Sequence, residues 1–240
     1  MNGFGQFCAV ARALDVVGER WTLLIVRELL SGSDTFGEIR RGLPRIPPAT
    51  LASRLRTLRG AGLVAVSGRR YQLTDSGVAL APIVRELARW TMTTDSAALT
   101  EDDLDTAALT WDMQRRVDLS ALPERTVVLA LDFTDRPPRD RHFWLHLSKT
   151  SVNLCRQDTG APVDLWLAAA TAEITRWWLG DLTWSQLQQH PGVTVHGDRA
   201  LQRQVHRWFL RYAFTREALA RTPQPGADCL SAGSTDLASR

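Results

Sequence analysis

The first part of the chain carries apolar residues every three or four positions. Over residues 7–30 this spacing predicts two helices with a break near Gly18. A third short helix is predicted from Phe36 and ends at Pro44, because proline cannot continue a helix. The proline pair at 47–48 suits the entry to a fourth helix, since the first turn of a helix needs no N–H donors. The apolar face of this fourth helix consists of Leu51, Leu55 and Leu58.

A hairpin and a longer helix follow. Two strand-like runs at residues 63–66 and 71–73 predict a small β-hairpin with a basic tip. Thr74 begins a predicted helix that continues to Trp90, with Pro82 near its start. This order of elements is typical of a winged helix-turn-helix, in which one helix enters the major groove of DNA and the hairpin approaches the adjacent backbone.

The pattern changes beyond residue 106, where strands and helices are mixed. We predict strands over 126–133, 142–147, 151–155, 163–167 and 193–195, and helices over 171–179, 183–189 and 198–213. The fold class is therefore α+β, and the chain is divided into domains at 1–95 and 107–221, a linker at 96–106 and a tail at 222–240. The tail is rich in Pro, Gly, Ser and Ala, a composition that favours disorder.

Charge is distributed unevenly along the chain. The net charge is +3, but residues 1–95 hold 13 arginines and 8 acidic residues, whereas residues 96–240 hold 16 basic and 18 acidic residues. Residues 31–70 contain eight arginines but only two acidic residues, Asp34 and Glu38. Such a local excess favours a surface that meets phosphates, although a charge cluster can also be a solvated face.

The fourth helix is the candidate for reading DNA. Opposite its leucines we place Thr50, Ser53, Arg54 and Thr57. The hydroxyl groups can bond phosphates or base edges, and Arg54 can reach the O6 and N7 atoms of guanine. Phosphate contacts, which give affinity more than sequence choice, are assigned to Arg40, Arg41, Arg45, Arg69 and Arg70. The alternative is a small helical domain with an arginine-rich surface.

Four segments carry a family resemblance. Residues 18–29 (GERWTLLIVREL), 36–41 (FGEIRR), 55–58 (LRTL) and 62–64 (GLV) resemble the HxlR family of winged-helix regulators, in the family's order. The resemblance implies a homodimer, built from the first helix and the long helix, that binds double-stranded operator DNA sequence-specifically. Two features depart from the family. Pro47 and Ala49 replace the usual Ser and Lys, so we expect one phosphate or base contact to be missing, and the hairpin is short, so we expect fewer minor-groove contacts.

The second domain carries a weaker resemblance. Residues 163–167 (VDLWL), 178–182 (WLGDL) and 192–198 (GVTVHGD) resemble the closing half of a sterol-carrier-protein-like domain. This implies a curved sheet, helices around an apolar tunnel, and a small hydrophobic effector. Candidate lining residues are Trp111, Trp144, Trp166 and Trp178. The alternative is that these rings form the core, which would leave the domain a role in dimerisation or protein contact.

The cysteines are few. The chain has three cysteines, Cys8, Cys155 and Cys229. Because their number is odd and they lie far apart in the sequence, we expect neither a disulfide framework nor a CxxC-type zinc site. Cys8 lies where several HxlR-like regulators keep a cysteine that senses electrophiles or oxidants, and Arg12 could favour its thiolate. The alternative is a small buried side chain.

No catalytic motif is recognised, so we expect neither an enzyme nor a cofactor. His142 and His146 lie on a predicted strand, where their spacing of roughly 13 Å makes them poor metal co-ligands. No apolar run is long enough to span a membrane and the start does not read as a secretory signal, so we expect a cytoplasmic protein without a membrane partner. The alternative function is a small-molecule carrier that uses the winged helix for dimerisation.

Overall fold

A computed structural model describes residues 3–94 and 99–212. The first of these segments folds as the predicted series of helices and hairpin. Its elements are α1 (Ala9–Val17), α2 (Thr22–Leu30), α3 (Phe36–Gly42), α4 (Pro48–Gly60), β1 (Val64–Ser67), β2 (Arg70–Leu73), α5 (Asp75–Val78) and α6 (Ala81–Thr93). The predicted break near Gly18, the end of α3 before Pro44 and the start of α4 at the proline pair are all confirmed.

One N-terminal prediction was wrong in detail. The single helix expected from Thr74 to Trp90 is divided, because α5 ends at Val78 and α6 starts at Ala81. Pro82 lies in the first turn of α6, where a missing N–H removes no helical hydrogen bond. The core beneath these helices consists of Ile25, Val26, Leu29, Ile39, Leu43, Ile46, Leu51, Leu55, Leu58, Val64 and Val84.

The second segment is a mixed sheet with helices. Its elements are α7 (Thr106–Arg115), β3 (Val127–Phe133), α8 (Pro138–Arg141), β4 (His142–Leu147), β5 (Val152–Cys155), β6 (Leu165–Ala169), α9 (Thr171–Leu179), α10 (Trp184–Gln189), β7 (Thr194–Gly197) and α11 (Arg199–Gln204). Short 3-10 turns lie at 101–103, 119–121 and 205–207. The predicted α+β class is confirmed, and each of the five predicted strands is found.

The strands form one sheet in the order β5-β4-β3-β6-β7. Only the β3–β6 pair is parallel, with Leu129 opposite Leu165, and the other pairs are antiparallel. Burial alternates along β4 and β6, as expected for strands with one face on the core, and β3 is buried throughout because it lies at the centre. The inner face packs against α7, α9, α10 and α11.

Two C-terminal predictions were wrong. Residues 106–115, which we did not predict as a helix, form α7. The helix expected over 198–213 ends at Gln204, because the chain then pairs with residues 116–118 instead: Asp118 N–H donates to Trp208 O (2.7 Å) and Leu210 N–H to Arg116 O (2.8 Å). Residues 213–221 and the predicted disordered tail at 222–240 lie outside the described residues.

Aromatic rings fill the space beside α9 and α10. Trp177 lies 5.4 Å from Trp184, 5.9 Å from Phe209 and 6.1 Å from Trp178, measured between ring centroids. Edge-to-face pairs at these distances add stabilisation beyond the burial of their area. The C-terminal domain therefore has a packed aromatic core.

Candidate nucleic-acid interface

Helix α4 presents a polar face to solvent. Its buried side chains are Leu51, Leu55 and Leu58, and they define the face of the helix that packs on the core. At about 100° per residue, Arg56 points roughly 130° away from the centre of these leucines and Arg54 only about 70° away. Arg56 is exposed, with no hydrogen bond or ion pair to any described residue. The outward cation of this helix is therefore Arg56, which our sequence prediction did not include.

Arg54 is held by the helices that precede it. Its Nη2 lies 2.7 Å from Glu19 Oε2, its Nε donates to Arg20 O at 3.3 Å, and its side chain is 20% exposed. To contact a base, Arg54 would have to exchange the carboxylate of Glu19 for the DNA. Its predicted contact with guanine stays a prediction.

The three predicted hydroxyl residues of α4 are half-buried. Thr57 Oγ1 donates to Ser53 O at 3.2 Å, a local bond that uses the hydroxyl proton but leaves its oxygen able to accept another. Thr50 and Ser53 make no side-chain hydrogen bond with the described residues. Ser53 lies closest to the outward direction, beside Ala49.

The remaining predicted arginines fall into two groups. Arg40 on α3 and Arg69 at the hairpin tip are exposed and form no ion pair with the residues that the structure describes. The others are engaged: Arg41 lies 5.2 Å above the Trp111 ring, Arg45 pairs with Asp102 (3.4 Å), and Arg70 pairs with Asp34. Arg40 and Arg69 are therefore the most available of these cations for phosphates.

Hydrogen bonds fix the start of α3 and the hairpin together. Thr35 and Glu38 form a capping box, in which each side chain bonds the backbone of the other residue. Burial would raise the pKa of Glu38, but hydrogen bonds from the backbone and side chains of Asp34 and Thr35 lower it overall. Tyr71 N–H donates to Asp34 O at 2.7 Å, and Thr35 forms a bridge with Arg70. The hairpin is thus attached to the N-terminus of α3.

A buried ion-pair network joins the two domains. The carboxylate of Glu28 on α2 is fully buried and accepts two hydrogen bonds from Arg115 on α7, at 2.7 and 3.2 Å. The same carboxylate also accepts hydrogen bonds from Arg27 Nη2 at 2.5 Å and from Ser33 Oγ at 3.2 Å. Burial would lower the pKa of Arg115, but the hydrogen bond and charge of Glu28, with those of Asp112, raise it.

The network continues into the aromatic core. Arg115 Nε donates to Asp112 Oδ1 at 2.9 Å, and Trp178 Nε1 donates to Asp112 Oδ2 at 2.9 Å. Sequence reasoning missed this network. Glu28 offered a signal, because it is a carboxylate inside the apolar run 22–30, where only a paired charge can be buried.

The structure does not bring the four predicted tryptophans together. Trp111 is buried beneath Arg41 at the junction of the domains, and Trp178 lies in the aromatic core. Trp144 and Trp166 flank Ala130 on the outer face of the sheet. No single cavity among the described residues is formed by all four, and their predicted role in ligand binding stays a prediction.

Cys8 is exposed at the N-terminus of α1, so the alternative of a buried side chain was wrong. The backbone amides of Ala11 and then Val10 lower the pKa of its thiol. The source of the shift is therefore the end of the helix, whereas we had expected Arg12. Its predicted redox role stays a prediction.

Within residues 3–94 and 99–212, no group of three or more His, Cys, Asp or Glu side chains is placed to hold a metal ion. None of the helices in these segments is both long and apolar enough to cross a membrane. The acidic run Glu101-Asp102-Asp103 forms a 3-10 turn with a capping box between Thr100 and Asp103.

Known proteins resemble the N-terminal domain. The HxlR-like helix-turn-helix family matches residues 16–98. The uncharacterized HTH-type transcriptional regulator YvaP of Bacillus subtilis is 40% identical over 86 residues, which cover 33% of this chain and 80% of that protein. The chain belongs to the HxlR-like helix-turn-helix family. An uncharacterized HTH-type transcriptional regulator of Mycobacterium tuberculosis is 45% identical over 89 residues, covering 34% of this chain and 56% of that protein. The quinone-bound structure of YodB from B. subtilis is 30% identical, covers 35% of this chain and 97% of that chain, and has a TM-score of 0.33.

The family membership assigns a role to the N-terminal domain. The N-terminal domain is a DNA-binding helix-turn-helix of the HxlR type, and its relatives are HTH-type transcriptional regulators. The family match ends at residue 98. Residues 99–212 therefore lie outside the family match, which indicates no function for them.

Proposed function

We propose that the chain is a sequence-specific transcriptional regulator that reads double-stranded operator DNA with α4. The observation that carries this proposal is the exposed face of α4, where Ser53 and Arg56 point away from the leucine core. Arg40 and Arg69 supply cations on either side of that helix in sequence, for the phosphates. Arg41, Arg45, Arg54 and Arg70 join them only if DNA replaces their present partners.

The proposed regulator acts as a homodimer. Helices α1 and α6 expose large apolar side chains to solvent, among them Val10, Leu14, Ile83 and Leu87. An exposed apolar patch of this kind marks an interaction surface. A second copy of the same surface would cover it and place two reading helices on two half-sites, as palindromic operators require.

The C-terminal domain is the proposed sensing part. Its five-stranded sheet with helices on the inner face supports the sterol-carrier-like resemblance, and the network from Glu28 through Arg115 to Trp178 supports coupling between the domains. Aromatic rings fill the space beneath the sheet. This packing favours a small molecule held at the domain junction over one in an apolar tunnel.

A DNA titration tests the proposal. Purified protein is titrated against DNA from its own upstream region, with non-specific competitor, at several salt concentrations. Wild type should bind specifically with a steep salt dependence. Arg56→Ala should weaken binding by about tenfold or more, as expected for loss of a base or phosphate contact. Arg54→Ala tests the earlier prediction, and Arg199→Ala, an exposed arginine on α11, is the control.

Two outcomes would contradict the proposal. Equal losses in Arg56→Ala and Arg199→Ala would show that α4 does not read the DNA. The absence of binding at any moderate salt would favour the small-molecule carrier, in which the winged helix serves mainly for dimerisation.

A further inference from the structure

A groove of about 870 Å³ separates the helix-turn-helix from the C-terminal domain. One wall comes from α3 and the turn after it, and the other from α7, β4 and β5. The volume falls within the range of sites that hold small organic molecules. Because one wall is part of the DNA-binding unit, a molecule bound here would contact both domains at once.

The charge of the groove favours an anion. Arg40, Arg41 and Arg156 line it, and none of the described lining residues is acidic. Arg40 forms no ion pair with a described residue, whereas Arg156 also bonds Asp140 at 3.0 Å, just outside the groove. Walls that carry one sign of charge concentrate ligands of the opposite sign.

The apolar part of the groove favours a ligand that also has an apolar body. The guanidinium of Arg41 lies 5.2 Å from the centre of the Trp111 ring, and that of Arg156 lies 5.3 Å from the centre of the Phe143 ring. Arg41 of one wall therefore covers Trp111 of the other, and Arg156 covers Phe143 within the second wall, so both rings are buried. The apolar body of a ligand would instead lie against Pro44, Ala107 and Leu154, with its carboxylate paired to the arginines.

We propose that this groove binds a small carboxylate with an apolar body and that its binding lowers the affinity for DNA. The regulatory half rests on the proposed function, because Arg40 and Arg41 are also the predicted phosphate contacts of α3. A bound carboxylate would compete with phosphates for these two guanidinium groups. By linkage, DNA and the ligand would weaken each other's binding by the same factor.

Calorimetry of the full chain without DNA tests the site. The probes are benzoate and 2-naphthoate, with 2-naphthamide as the neutral match. We expect saturable binding of at least one carboxylate, and binding about tenfold weaker both for the amide and in Arg156→Gln. Arg203→Gln, an exposed arginine of α11, should bind the carboxylate like wild type. The site is overturned if neither carboxylate saturates by about 10 mM, if the amide binds equally well, or if the two variants behave alike.

The DNA titration tests the regulatory half. Saturating carboxylate should weaken operator binding by about fivefold or more in wild type, and much less in Arg156→Gln. Unchanged DNA affinity with the ligand bound would overturn regulation while leaving the site. If the protein alone binds no DNA, the proposed function fails, and the calorimetric result still decides the site.

Discussion

The two domains bury their apolar side chains to different degrees. Ten of the fourteen exposed large apolar side chains lie in residues 3–94 and only four in residues 99–212. In the N-terminal domain they concentrate on α1 and α6, whereas the C-terminal domain turns its tryptophans and phenylalanines into one packed cluster.

This difference indicates what each domain needs. The C-terminal domain fills its core with its own rings and leaves few large apolar side chains exposed among its described residues. The N-terminal domain exposes apolar side chains on α1 and α6 and arginines on α3, α4 and the hairpin tip, which suits both a second copy of the chain and DNA. The Glu28 network joins a buried charge of one domain to the core of the other, and breaking it should affect both.

The largest effect is expected from Arg115→Ala. Its loss leaves the buried Glu28 carboxylate without its bidentate partner, and breaking a buried ion pair costs about 3–5 kcal/mol of unfolding free energy. Urea denaturation measures this change. The double variant Glu28→Met with Arg115→Met should recover part of the loss, because the buried carboxylate is removed together with Arg115, although Arg27 then loses its pairing with Glu28. A cost as small as that of Arg203→Ala would contradict the structural role of the network.

A smaller effect is expected at the apolar face of the N-terminal domain. Leu87 on α6 is 45% exposed. If a second copy covers it, Leu87→Asp should weaken dimerisation by roughly 1.5–3 kcal/mol, the value of burying a leucine. Sedimentation over a concentration series measures the shift toward monomer. Val163→Asp changes a side chain of similar exposure in the C-terminal domain, and it should leave the dimer intact. Equal sedimentation of all three proteins would remove this face from the interface.

A pair of glycines on α3 separates packing from helix propensity. A Cβ at Gly42 would lie 2.0 Å from Glu28 Oε2, and that carboxylate cannot move freely because Arg115, Arg27 and Ser33 hold it. Gly42→Ala should therefore cost about 1–3 kcal/mol. At Gly37 a Cβ would meet no atom within 4 Å, so Gly37→Ala should stabilise by up to about 1 kcal/mol. Thermal unfolding compares the two, and a shared sign would contradict the close approach of Glu28.

The sequence predicted the N-terminal helices because their spacing and caps are local. It did not predict α7, because this helix buries Thr110 and Asp112 beside Leu109 and Met113, which blurs its apolar stripe. The reading face of α4 was predicted only in part. The prediction placed Arg54 opposite the leucines, but at about 100° per residue it lies only about 70° from them, and the carboxylate of Glu19, 35 positions earlier, holds its side chain. Contacts such as Glu28–Arg115, 87 positions apart, leave no periodic signal at all.

The smallest effect concerns Glu38, which ties the capping box of α3 to the hairpin. Its pKa is lower in the folded chain than its ordinary value near 4.3, so its stabilising contribution is complete above that value and is lost as the pH falls through the folded pKa. Glutamine keeps a carbonyl acceptor but cannot titrate. Glu38→Gln should therefore lose less stability than wild type between about pH 5 and pH 3, by less than about 1 kcal/mol. Urea midpoints across this range measure the difference.

Asp181→Asn, at an exposed carboxylate without a described hydrogen bond, is the control. If both variants follow the same pH curve, the carboxylate of Glu38 does not contribute to the attachment of the hairpin to α3.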